Sequence, residues 1–355
     1  MTSVRSGLLG QISHPNCRLS NHAASSKGPF FPQEGVMILV AGATGVLGSE
    51  IVQRLTARGE KVRAMVRTTS APEKVERLKM LGAEIVRADV KEPQTLLAAC
   101  AGVNAVISTI TTILTSQPGD SFEATDGEGN EALVDAAKNA GAAKFIFVSF
   151  DVNQTPDNPL SSAKRAMEEH LKASGLDYTI LHGSLFFESW LGPMLFADPA
   201  AGTAKVYGKG LDKIRYVAVA DVAEFAVQSL SAPAARNAII PVGGAEEISQ
   251  RDAVRIFEEA YGKKFSVIEI PEAALEAQWT SALNPWDKTF AALMLGVARG
   301  LGSGMKPPLE KFPMRMTSAA EYVRKMARAS GQVNRDEQRE SSPTDAGAEK
   351  GAELM

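Results

Sequence analysis

The stretch MILVAGATGVLGSEIVQRL, Met37–Leu55, constrains the fold more than any other part of this chain. An apolar run of strand type ends on Gly42. Gly45 and Gly48 follow at three-residue spacing, and a helical pattern opens straight out of them with Leu47, Ile51, Val52 and Leu55 on one stripe. A turn this tight between strand and helix needs a residue tolerant of unusual dihedrals, which glycine supplies. Backbone free of Cβ atoms also lets a helix pack on a strand and lets a ligand approach closely.

The pattern then repeats without the glycines. Apolar runs VMILVA, KVRAMV, AEIVRA, NAVIST, KFIFVS and DYTIL alternate with helical segments over about 47–58, 72–81, 93–100, 125–140 and 160–174. The runs are short, rich in β-branched residues and often continuous, as strands buried on both faces of a parallel sheet are. Strands alternating with helices predict an α/β fold with a doubly wound parallel sheet. After Leu181 the rhythm changes. SLFFESWLGPMLF is bulky and broken by glycine, and KIRYVAVADVAEFAVQSL reads as a strand followed by a helix capped at Asp221. NAIIPVGG reads as a further strand and SQRDAVRIFEEAYG as a helix capped by Ser249. These later pieces are expected to build a smaller, substrate-side lobe.

At 355 residues and 45% hydrophobic content, the chain can bury one large α/β domain with an appendage. A net charge of -3 gives no overall attraction to nucleic acid or to an anionic membrane. TFAALMLGVARGLGSG is the most apolar late stretch, and Arg299 interrupts it, so no membrane span is expected. Two cysteines, Cys17 and Cys100, make neither a metal cluster nor a disulfide framework. That usage fits a reducing compartment and a cytoplasmic location, with Cys100 as a buried small hydrophobe. Residues 1–35 contain Arg5, Arg18 and Lys27 and no acid before Glu34. Three readings stay open for them: a disordered extension, an organelle-targeting peptide, or a start that belongs at Met37.

The glycine turn suits the pyrophosphate of a dinucleotide, because a helix start offers free N–H groups and the positive end of its dipole. Gly42, Ala43, Thr44, Gly45, Val46, Leu47 and Gly48 are its candidate residues. An acid at the end of the second strand would mark NAD by accepting from the ribose 2′-OH. KVRAMVRTTSAPEK has none there; it has Arg67, and Lys74 shortly after. A guanidinium pairs bidentately with phosphate, so NADP (as NADPH) is expected in preference to NAD. Asp89, with Val90 beside it, ends the third strand and could accept from the adenine amino group or cap the next turn. Thr109 follows the fourth strand and is expected near the cofactor.

Taken together, LVAGATGVLGSEIVQRL, GNEALVDAAKNAGAAKFIFVSF, AKRAMEEHLKASGLDYTIL and YVAVADVAEFAVQSL resemble the NmrA-like branch of the atypical short-chain dehydrogenase/reductases, over roughly 37–322. The resemblance implies an NAD(P)-binding Rossmann domain, a small C-terminal lobe, and either a reductase of the isoflavone-reductase type or a non-catalytic redox-sensing regulator. The division expected is a disordered extension over 1–35, a Rossmann domain over 36–184, a partly integrated lobe over 185–327 and a disordered tail over 328–355.

The wider superfamily carries a Tyr-x-x-x-Lys pair. None of the five tyrosines has a lysine four residues on, and Leu160 stands four before Lys164. Lys164 shares a helical face with Leu160, Met167 and Leu171, so it lies on an inward stripe and should either snorkel or meet a partner such as a cofactor ribose or substrate oxygen. The resemblance makes Lys164 a candidate ribose ligand and general acid or base. Ser149, at the end of the fifth strand, is a candidate partner of substrate or of Lys164. His182, Phe186, Phe187 and Trp190 are candidates for the substrate pocket. Two functions are carried forward. One is an NADPH-dependent reductase of a small apolar or aromatic carbonyl, quinone or enone. The other is an NADP(H)-sensing regulator or assembly factor that contacts a protein partner.

Overall fold

The computed structural model describes residues 36–114 and 116–331. The expected N-terminal extension, and the tail beyond Gly331, lie outside the described residues. From Val36 the elements run β1 (Met37–Ala41), α1 (Val46–Ala57), β2 (Lys61–Val66), α2 (Pro72–Met80), β3 (Glu84–Arg87), α3 (Pro93–Cys100) and β4 (Ala105–Ser108). They continue with α4 (Glu128–Asn139), β5 (Lys144–Ser149), α5 (Pro159–Ala173) and β6 (Asp177–Gly183). The rest comprises α6 (Phe187–Trp190), β7 (Ala197–Asp198), β8 (Thr203–Tyr207), β9 (Lys213–Ile214), α7 (Val219–Gln228), β10 (Ala238–Val242), β11 (Ile248–Ser249), α8 (Gln250–Tyr261), β12 (Ser266–Ile270), α9 (Glu272–Ser281), α10 (Pro285–Ala298) and α11 (Ala319–Ala329).

Seven strands form one parallel sheet in the order β10-β6-β5-β4-β1-β2-β3. The order reverses between β1 and β4, so the sheet splays there and leaves a crevice at the strands' carboxyl ends. Alternate residues of each strand feed two cores. Ile38 and Val40 pack with Leu47, Ile51, Val222 and Phe225, whereas Leu39 and Ala41 pack with Leu133, Val134, Met167 and Leu171. The period of two along a strand therefore explains why these runs are apolar without a break: both faces are covered.

Several late elements differ from expectation. NAIIPVGG does not belong to a separate lobe. Its strand β10 pairs with β6 at the edge of the main sheet, the position where Pro241 costs no ladder bond. Helix α7 also packs on α1, where Glu224 pairs with Arg54 at 2.9 Å and Arg58 at 2.7 Å. Asp221 does not cap α7, which begins at Val219 with Ala218 in the cap position. Its carboxylate instead accepts from the N–H (2.8 Å) and hydroxyl (3.1 Å) of Thr317, and burial pushes its pKa up. Ser249 does cap α8, in a capping box with Asp252. The helix expected over 125–140 opens earlier, as a π-turn over Phe122–Gly127 that leads into α4.

The remaining lobe is built on a three-stranded sheet, β12-β8-β7, a short β11-β9 pair, and helices α8 to α11. Its core joins Phe196, Phe257, Leu295 and Val323. The apolar stretch TFAALMLGVA is α10, buried within this lobe; no described helix is long and apolar enough to cross a membrane. Helix α11 extends to Ala329, past the expected start of the tail. Cys100 is buried, and burial pushes its thiol up to about 11.

Candidate dinucleotide and substrate cleft

A cavity of about 870 Å³ occupies the crevice at the carboxyl ends of the strands and extends to the lobe. Its inner end is the glycine turn. Gly42 sits at φ 78°, the left-handed region where a side chain is strained, and its carbonyl accepts from Gly45 N–H at 3.0 Å. A Cβ on Gly48 would lie 2.2 Å from the Gly42 carbonyl oxygen, so helix and turn meet only with glycine there. No side chain caps α1, which leaves its first N–H groups directed at the cavity. Thr44, Gly45, Val46, Leu47 and Gly48 line the wall, whereas the Ala43 side chain is buried in the core. Thr109 also lines it, tied to the Ala41 carbonyl through its N–H (3.0 Å) and hydroxyl (3.1 Å). An uncapped helix start over bare backbone fits a pyrophosphate.

Past the end of the neighbouring strand β2, Arg67 and Lys74 line the wall with Thr69 and Ser70. Arg67 is paired through Nη1 with the fully buried carboxylate of Asp120, at 2.9 Å. Its Nε and Nη2 make no hydrogen bond among the described residues, so the guanidinium keeps donors for a phosphate. Asp120 also accepts from Lys91 Nζ at 2.5 Å and Gln117 N–H at 2.9 Å. Burial opposes the charge of Asp120, but Lys91 and Arg67 outweigh it and hold the carboxyl below its usual range. A depressed folded pKa adds stability above the unfolded value, near pH 4, and that stability is lost as pH falls through the folded value. Asp120→Asn should therefore flatten the acid limb of the stability-versus-pH curve, read by urea melts between about pH 6 and pH 3.

Asp89 and Val90 both reach the wall. Asp89 accepts from Lys91 N–H at 3.0 Å through Oδ1 and from Lys91 Nζ at 3.1 Å through Oδ2, which closes the turn and holds the carboxylate at the wall.

Near the lobe, α5 brings Lys164 into the cleft at 4% exposure. Its ammonium donates to the Ile110 carbonyl at 3.2 Å, lies 3.4 Å from Asp126 Oδ1 and sits 4.7 Å from the centre of the Phe147 ring. Asp126, in the π-turn, is fully buried and accepts through Oδ2 from Thr112 N–H at 3.0 Å and Thr112 hydroxyl at 2.8 Å. Leu160 lines the cavity where the superfamily places tyrosine.

Ser149 lines the cavity but does not bond Lys164. Its hydroxyl donates to Glu168 Oε1 at 2.6 Å, and His182 Nε2 reaches the same oxygen at 3.0 Å. His182 is thus no part of the cavity wall, contrary to expectation: β6 turns it under α5, onto Glu168. Phe187 is a second correction. It is 1% exposed and stacks on Tyr322 at 5.0 Å inside the lobe core. Phe186 and Trp190 do face the cavity, with Phe150, Phe290, Leu293 and Met305.

Four acids went unnoticed in the sequence: Asp120, Asp126, Glu168 and Glu188. Glu188 lines the cavity and accepts from Val219 N–H at 3.0 Å, the uncapped start of α7, and burial pushes its carboxyl up. Only Glu168 left a usable signal. It follows Lys164 by four residues and so lies on the same inward face of α5.

A parallel sheet with an uncapped glycine turn at its switch point defines an α/β protein of the Rossmann, NAD(P)-binding class. The model of the NmrA-like family matches residues 35–290, and the chain belongs to that family. It is 30% identical to the photosystem II assembly factor Ycf39 of Cyanophora paradoxa over 323 residues, 87% of this chain and 98% of that protein. Among solved structures it is similar to AtPrR2 with NADP+ and (+)pinoresinol, at TM-score 0.69 and 20% identity, covering 83% of this chain and 99% of that one. It is also similar to the NADPH-dependent quinone oxidoreductase QOR2 of Escherichia coli complexed with NADPH, at TM-score 0.65 and 22% identity, covering 82% and 99%. At these identities the two solved structures speak for the fold.

Proposed function

We propose that the protein binds NADP(H) in preference to NAD(H) and reduces a small apolar or aromatic carbonyl, quinone or enone. The observation that carries this reading is Lys164, a buried ammonium with a buried counter-charge, set in the wall between the glycine turn and the apolar lobe. In this reading the glycine turn holds the pyrophosphate, and Arg67 with Lys74 holds the 2′-phosphate. Thr109 stands beside the glycine turn on its β4 side, and Lys164 orients the nicotinamide ribose or the substrate oxygen. NADPH, when bound, supplies the hydride. Phe186, Trp190 and Phe290 exclude water and take the apolar part of the substrate.

A second reading has its own support. Leu160 replaces the superfamily's tyrosine, and the named relative that matches over nearly its full length is an assembly factor. Here the protein senses NADP(H) and contacts a partner protein without turnover. Compartment divides with function: cytoplasm for the reductase, an organelle for the assembly role, with residues 1–35 as the targeting segment.

Titration of the purified protein with NADPH and NADH, followed by quinones, enones and aldehydes, tests both. Arg67→Ala is expected to weaken NADPH about 10- to 100-fold while leaving NADH nearly unchanged. Equal losses for the two cofactors would remove the NADP preference. Tight binding with no NADPH oxidation across the panel selects the assembly reading.

A further inference from the structure

Reducing a carbonyl needs a proton as well as a hydride, and the usual donor is absent here because Leu160 holds its place. Ser149 and His182 are register partners across β5 and β6. Each lies two residues beyond a core side chain of the same face, Phe147 and Ile180, so both point toward α5. Glu168 on α5 comes down over the pair, and one oxygen takes both bonds, at 2.6 Å from Ser149 and 3.0 Å from His182. With Glu168 as a carboxylate, which only accepts, Ser149 Oγ–H and His182 Nε2–H are the donors. Glu168 is 5% exposed and, among the described residues, has no lysine or arginine among its hydrogen-bond and ion-pair partners. The His182 side chain keeps 15% exposure although it does not line the cavity. The three groups form a hydrogen-bonded line that starts at Ser149 on the cavity wall and ends at the partly exposed His182.

We propose that Ser149, Glu168 and His182 deliver the proton of the reduction. This rests on the reductase reading. The carbonyl carbon gains a hydride as the reduced dinucleotide is oxidised by two electrons, and the C–O π pair moves to oxygen. That oxygen takes the proton of Ser149 Oγ. The serine recovers a proton from Glu168, which has received the Nε2 proton of His182, while the other ring nitrogen takes one from water; hydroxide leaves to solvent, and exchange with water returns the imidazole to its Nε2–H tautomer. The net change is one hydride and one water-derived proton added across the carbonyl. Ser149 is the group that touches substrate; Glu168 and His182 act through it.

Two acceptors separate this role from a merely structural one. 4-Nitrobenzaldehyde needs hydride and proton, whereas crystal violet, already a carbocation, needs hydride alone. In Ser149→Ala, Glu168→Gln and His182→Gln, NADPH oxidation with the aldehyde is expected to fall about 100-fold. With the dye it should stay within about twofold of wild type. Equal losses on both acceptors, or no loss with the aldehyde, overturn the relay while leaving the reductase reading in place. His182→Gln, at the partly exposed end, keeps the test open if Glu168→Gln fails to fold. A readout without turnover is the affinity of 4-nitrobenzyl alcohol for the protein saturated with NADPH, a dead-end complex in which both partners are already reduced. Ser149→Ala is expected to weaken it about tenfold, the loss of one hydrogen bond; unchanged affinity overturns Ser149 as the donor. Wild-type protein that oxidises NADPH with neither of these acceptors nor with any quinone, enone or aldehyde of the panel overturns the reductase reading, and the relay with it.

Discussion

Alanine at Gly48 is expected to cost the protein its dinucleotide. The added Cβ would lie 2.2 Å from the Gly42 carbonyl oxygen, 2.7 Å from its carbon and 2.9 Å from Ala43 Cα. All three are backbone atoms, so no side chain can swing aside, and the turn must open. Overpacking of this kind costs about 1–3 kcal/mol or more, and each 1.4 kcal/mol is a factor of ten in affinity. We expect NADPH to bind at least about 100-fold more weakly. Ser49→Ala, at the next residue of α1 and outside the cavity lining, is the control. Fluorescence titration of the two variants decides the matter; equal losses would mean that close packing of α1 on the turn does not set affinity.

The second large effect is expected at Lys164. Methionine in its place keeps much of the volume but leaves the fully buried Asp126 without its ammonium at 3.4 Å. Removing one partner of a buried pair costs about 3–5 kcal/mol, because the remaining charge cannot reach water. Lys164→Met should therefore lower the urea midpoint strongly and stop turnover. Lys164→Met with Asp126→Asn should regain most of the stability and none of the turnover. A single variant as stable as wild type would show that Asp126 finds another partner or a proton. A double variant with wild-type turnover would remove Lys164 from the chemistry.

Much of the site was legible before the fold. The glycine spacing, the basic end of β2, the inward lysine and the missing tyrosine are all local facts. Each rests on a few consecutive residues whose conformational meaning does not depend on distant chain. His182 and Phe187 show where that reasoning stops. Both lie at a strand end or just after it, as cavity residues do, yet one turns beneath α5 and the other enters the lobe core. Position along a strand does not say which of two faces is the open one.

Glu168 makes the same point for charge. Helical periodicity placed α5's stripe inward, but it could not say that Ser149, 19 residues back, and His182, 14 residues on, converge on one carboxylate oxygen. Arg67 and Asp120 are 53 apart, and nothing in either neighbourhood foretells the other. Nor could NAIIPVGG announce that it returns to the main sheet, since a short apolar strand reads alike at a sheet edge and in a lobe.

By itself, then, the sequence determined the alternation of strands and helices, the glycine turn, and the loss of the tyrosine. These follow from backbone sterics and from periodicity, which act over a few residues. The tertiary structure alone decided which buried charge answers which, and whether a side chain faces the cavity or the core. Burial makes an unpaired charge too costly to leave, but only the packed sheet and helices bring its partner within 3 Å or so.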